Sequence, residues 1–177
     1  MIFAENNTME YTDRILVYGY GNPGRQDDGL AAELIRRVDN WKHKHFLAPF
    51  ISTDCNYQLN IEDAAVISPY RLVIFADASN EEIDDFMLTP ITPESDISFT
   101  MHAVNPAYVV NLCREIYGYD PEAYLLHIKG YQWEMKEELT EKAVSNLDKA
   151  FQFLISFLQE KRGITGCCPE RKQKLSL

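Results

Sequence analysis

The chain has 177 residues, 46% hydrophobic and 25% charged, with a formal net charge of -10. That is enough apolar material for one domain with a sizeable core, and the acidic balance disfavours nucleic acid and anionic membranes, which are bound through Lys and Arg. No apolar run reaches the ~18 residues needed to span a bilayer, so the expectation is a cytoplasmic protein with neither a nucleic-acid nor a membrane partner.

Residues 1–13 are polar and acidic, without the basic and apolar regions of a secretory signal, and read as a flexible extension. Ile15 to Tyr20 reads as a buried strand. A glycine-rich turn follows, then the adjacent carboxylates Asp27 and Asp28, then a helix from about Asp28 to Asn40. Leu30, Ala31, Leu34, Ile35 and Val38 give that helix an apolar stripe of helical period. A strand running into a helix through a tight loop places the loop at the carboxyl edge of a sheet, where α/β proteins build their sites. Asp27 and Asp28 are therefore expected at the mouth of a cleft.

A second strand is expected over Phe50 to Thr53, and a helix from near Asn60 that Pro69 ends, since proline cannot continue it. Leu72 to Ala76 is a continuous apolar run, the pattern of a central strand covered on both faces, and Asp77 closes it. Phe86 to Thr92 reads as a further strand. Asn105-Pro106 makes a helix start, with Tyr108, Val109, Leu112, Cys113 and Ile116 as its apolar face and Gly118 as its stop. Tyr124 to Ile128 is the last strand, and Thr140 caps a long amphipathic helix through Leu158. Residues 161–177 are basic and without period, a flexible tail. The sum is a single α/β domain over residues 14–160: a mainly parallel twisted sheet of about five strands with helices on both faces.

Cys55, Cys113, Cys167 and Cys168 form no C-x-x-C pair, which suits a reducing compartment and excludes zinc-finger and thioredoxin signatures. His43 and His45 read as surface residues, and His127 as a core or half-buried one. No H-E-x-x-H and no G-x-S-x-G is present.

Gly19, Gly21 and Gly24 satisfy G-x-G-x-x-G, so a nucleotide-binding module built on Gly19 to Gly24 is one reading. That motif needs a helix N-terminus open to phosphate, and Asp27 and Asp28 occupy the position. Gly19 to Gly24 is also similar to the opening of bacterial peptidyl-tRNA hydrolase, but Gln26-Asp27-Asp28-Gly29 stands where that family continues toward its catalytic histidine.

Asp28 follows the first strand, Glu62 the second, and His102 stands in the loop before the Asn105-Pro106 helix. Loops from parallel strands project to one edge, so the three can converge, and two carboxylates with one imidazole suit a divalent transition metal. Each also has an ordinary role: Asp28 and Glu62 favour a helix N-terminus, and His102 a solvated loop.

Gly21-Asn22 with Asp27-Asp28-Gly29, Gln58 to Glu62, Ala76-Asp77-Ala78, Met101-His102 before Pro106, and Ile128 to Trp133 before Leu139-Thr140 together resemble the hydrogenase maturation endopeptidases. The resemblance runs from about Arg14 to Leu158. It implies an enzyme that removes the C-terminal extension of a nickel-iron hydrogenase large-subunit precursor once nickel has been inserted. It also implies Asp28, Glu62 and His102 as the metal-contacting set, with Glu62 preferred to Asp63. The metal would arrive with the substrate, so no resident cofactor is expected and a free divalent metal would bind only weakly. Asn22 and Asp77 are assigned to supporting or peptide contacts. A non-proteolytic assembly factor or metallochaperone is the alternative on the same site.

Overall fold

The structure is a computed structural model that describes residues 14–92 and 104–162. The 1–13 extension and the tail beyond 162 lie outside the described residues. β1 is Ile15–Tyr20, β2 Ile51–Asn56, β3 Leu72–Ser79, β4 Phe86–Pro90 and β5 Glu122–Lys129. They form one five-stranded sheet in the order β2-β1-β3-β5-β4, in which only β4 runs antiparallel, at the edge beside β5. The helices are α1 (Leu30–Lys44), α2 (Asp63–Ile67), α3 (Pro106–Tyr117) and α4 (Glu141–Lys161).

Strand alternation splits the core into two layers. Ile15, Val17, Ile74, Leu126 and Ile128 pack under α1 and α4 on one face. Leu16, Tyr18, Val73, Phe75 and Ala123 pack under α2 and α3 on the other. β3 is buried on both faces from Leu72 to Ala76, which is why its sequence is a continuous apolar run.

The expected fold class holds, and the differences have physical causes. The first helix begins at Leu30, after a short 3-10 turn over Gln26–Gly29, because long-range hydrogen bonds draw Gln26 and Asp27 away from the helix. β2 runs on to Asn56 because β1 continues to pair with it, Tyr20 against Asn56. α2 is a short helix whose expected first turn is an irregular connection. β3 continues through Asp77 to Ser79 because β5 pairs that far, Asp77 against His127. On α3 the buried residues are Pro106, Val109, Val110, Asn111 and Cys113, whereas Ile116, expected on the apolar face, is exposed.

Candidate active site at the carboxyl edge

β1 leads through α1 to β2 on one side, and β3 leads to the strands on the other. The carboxyl ends of β1 and β3 therefore flank the point at which the strand order reverses, the crevice where open α/β sheets place ligands.

The turn after β1 is closed by its own hydrogen bonds. Gly21 adopts φ +140°, and a Cβ there would lie 2.3 Å from the Asp28 carbonyl oxygen, so only glycine lets the chain fold back this closely. The Asn22 N–H donates to Asp28 Oδ2 at 3.1 Å, and the Gly24 N–H donates to Asn22 Oδ1 at 2.8 Å. Asn22 thus shapes the turn, and the turn holds the half-buried Asp28 carboxylate.

The two adjacent aspartates divide. Asp27, expected at the mouth beside Asp28, is instead completely buried. Its carboxylate accepts the Tyr131 N–H at 2.8 Å, the Gln132 N–H at 3.1 Å, the Thr140 N–H at 2.7 Å and the Thr140 hydroxyl at 2.8 Å. Gln26 joins it by accepting the Glu134 N–H at 3.0 Å. Asp27 ties the turn to the connection between β5 and α4, and only Asp28 faces the crevice.

Asp77 lies on β3 beside the end of β1, on the same face as Phe75. Burial pushes its carboxyl up to about 7. A hydrogen bond from the Tyr20 hydroxyl and one from the Ala78 N–H oppose that rise, and the negative charge of Asp28 adds to it. Tyr20 is itself pushed upward, first by burial and then by the charge of Asp77, so it remains a hydroxyl donor. Asp28 and Asp77 are thus two interacting carboxylates in one crevice, and Asp77 is the acid that the structure brings to Asp28. The Asp77 carboxyl, raised to about 7, can hold or release a proton near neutral pH.

Glu62 is not among the groups that act on Asp77. It is exposed at the N-terminal end of α2 and its side chain makes no capping hydrogen bond. Asp63 points inward and accepts the Asn60 N–H at 2.7 Å. His102 lies outside the described residues. The chain resumes at Val104, which packs on the α2/α3 layer, and Asn105 caps α3 by accepting the Tyr108 N–H at 2.8 Å. Among the described residues, no group of three His, Cys, Asp or Glu side chains could hold a metal ion.

A phosphate would find the glycine-rich turn occupied. The Gly21 N–H donates to the Asn56 carbonyl, Arg25 to Asn22, Gln26 to Lys136, Asp27 to Gln132 and Asp28 to Arg25. With Asn22 and Gly24 already bonded to side chains, and Asp28 facing the crevice, the anion-binding device of a dinucleotide loop is missing.

No protein-family model matches this chain, and no curated protein matches its sequence. Solved structures do match. The NiFe hydrogenase maturation protease HycI from Thermococcus kodakarensis KOD1 aligns over 83% of this chain and 93% of that one, at 21% identity and a TM-score of 0.64. The hydrogenase 2 maturation peptidase from Thaumarchaeota archaeon SCGC_AB-539-E09 aligns over 82% and 97%, at 20% identity and a TM-score of 0.61. The hydrogenase maturating endopeptidase HybD from E. coli aligns over 83% and 93%, at 17% identity and a TM-score of 0.61. The chain shares the fold of the hydrogenase maturation proteases. At these identities the likeness is one of fold. No described helix is long and apolar enough to cross a membrane.

Tyr20 belongs to no motif in the sequence, yet it donates to Asp77. Strand alternation puts it on the same face as Tyr18, and the fold packs it on the layer that holds Phe75.

Proposed function

We propose that the chain is a cytoplasmic endopeptidase that removes the C-terminal extension of a nickel-loaded nickel-iron hydrogenase large-subunit precursor. The observation that supports this is the interacting Asp28–Asp77 pair at the crevice of a sheet with the maturation-protease fold. In this reading Asp28 and Asp77 offer oxygens to the nickel that the precursor carries, and His102 offers a nitrogen. Asp77 takes the place given to Glu62, which stands exposed just before α2. Two carboxylates and one imidazole leave coordination positions to the substrate's own ligands, which suits a metal that is recognised and then leaves with the product. Asn22 holds Asp28 through its backbone N–H.

The test is incubation with nickel-loaded and nickel-free precursor, read by mass. Cleavage of the loaded form alone is expected, with Asp28→Asn, Asp77→Asn and His102→Ala inactive and Glu62→Gln close to wild type. Cleavage of the nickel-free form at an equal rate would remove metal reading from the mechanism. Binding without cleavage would favour an assembly factor.

A further inference from the structure

The connection between β2 and α2 is pinned at several points and open between them. The Asn56 carbonyl accepts the Gly21 N–H at 3.1 Å, joining the connection to the turn that holds Asp28. The Asn56 side chain donates to the fully buried Tyr18 hydroxyl at 2.6 Å. The same hydroxyl is hydrogen-bonded to Asp63, which is 4% exposed and accepts the Asn60 N–H. Leu59 is buried in the α2/α3 layer. Between these anchors Tyr57 is 71% exposed and Ile61 is 54% exposed.

An isolated exposed apolar side chain is ordinary. Here hydrogen bonds to the buried Tyr18 and Asp63 hold the backbone on either side of two of them, and both side chains stay exposed. A rigidly presented Tyr beside an aliphatic side chain is the composition of a protein-binding anchor. The position selects the partner, because whatever reaches Asp28 meets the loop bonded to its turn. Charge narrows it further. Exposed Asp54 precedes Tyr57 and exposed Glu62 follows Ile61, and between Lys44 and Arg114 the only Lys or Arg in the sequence is Arg71. Arg71 precedes β3 at the opposite, amino edge of the sheet.

We propose that Tyr57 and Ile61 are the apolar anchors on which the hydrogenase precursor docks, and that the precursor segment they receive carries Lys or Arg beside apolar side chains. This rests on the endopeptidase reading and names the partner surface of that site. The anchors set affinity and touch no reacting group, so their loss acts on KM and leaves kcat in place.

The experiment measures cleavage of nickel-loaded precursor, and its Kd by calorimetry, for wild type and for the double variant Tyr57→Ser/Ile61→Ser, with thermal melts alongside. The expected result is a KM and Kd raised about 10-fold or more, with kcat within about 2-fold and an unchanged melt. The single variant Tyr57→Phe, which keeps the ring, should stay close to wild type. Raising salt should weaken wild-type binding through slower association. A double variant with wild-type KM and Kd overturns the docking surface and leaves the endopeptidase reading standing. Wild type that binds without cleaving, with weaker binding by the double variant, overturns the endopeptidase reading and keeps the docking surface. Wild type that neither binds nor cleaves overturns both.

Discussion

At position 77 a carboxyl group sits where the sheet is still hydrogen-bonded, and burial together with the charge of Asp28 raises its proton affinity to about 7. A carboxyl whose folded-state pKa lies above its unfolded value of about 3.9 binds its proton more tightly in the folded chain. Its contribution favours folding while the proton stays on. That contribution is lost as pH rises from about 4 to about 7, and above this the buried carboxylate costs stability. Asp77→Asn removes the charge and keeps an oxygen for the Tyr20 and Ala78 donors. The variant is expected to melt close to wild type at pH 4 and to be more stable than wild type at pH 8, by about 2–4 kcal/mol. Melting curves at the two pH values check this, and a variant less stable than wild type at pH 8 would contradict it. Loss of precursor cleavage in the same variant would make Asp77 a site residue retained at a cost to stability.

Between elements, the strongest single tie is the Asp27 carboxylate. It joins the turn after β1 to the start of α4, with bonds spanning 104 to 113 residues of sequence. Thr140, which caps α4 by accepting the Ala143 N–H, is one of the donors it holds. Asp27→Ala removes a fully buried acceptor and leaves the N–H groups of exposed Tyr131 and Gln132 and of half-buried Thr140 without it. Stranded donors cost about 1–3 kcal/mol each, less where water reaches them, so a loss of roughly 3 kcal/mol or more is expected. In a chain of this size that lowers the melting temperature by roughly 6–12 °C. A fall of under about 3 °C would mean that the tie contributes little. Because the Asp28 turn is anchored through the same residue, cleavage should fall even where the variant remains folded.

On the scale of the whole molecule, a sheet with two helices on each face leaves its carboxyl edge as the place where chemistry-bearing loops meet. Two acids stand there, Asp28 and Asp77, and the amides of the glycine-rich turn are already bonded within the protein. The glycine-rich turn therefore offers no phosphate cradle. Titration with ATP or NAD by calorimetry should give no saturable heat at millimolar ligand. Binding tighter than about 100 μM, a free energy near 5.5 kcal/mol, would restore the nucleotide reading.

The amino-acid sequence by itself determined the architecture: five strands and four helices, their order, and a mainly parallel sheet. Local patterns carry that information. The run Leu72 to Ala76 must be a doubly covered strand, Asn105-Pro106 must start a helix, and Thr140 must cap one. It also marked the stretch from Gly21 to Gly29 as the turn on which the site is built. The tertiary structure alone decided which acids face the crevice. Asp27 and Asp28 are neighbours of identical chemistry, and only donors more than 100 residues away turn Asp27 inward. Glu62 and Asp77 both read as following strands, yet Glu62 stands exposed just before α2. Continued pairing with β5 keeps Asp77 inside the sheet, next to Tyr20 and under the field of Asp28. Periodicity reports which face of an element is buried, but not which distant segment comes to rest on it, and that placement selects the carboxylates.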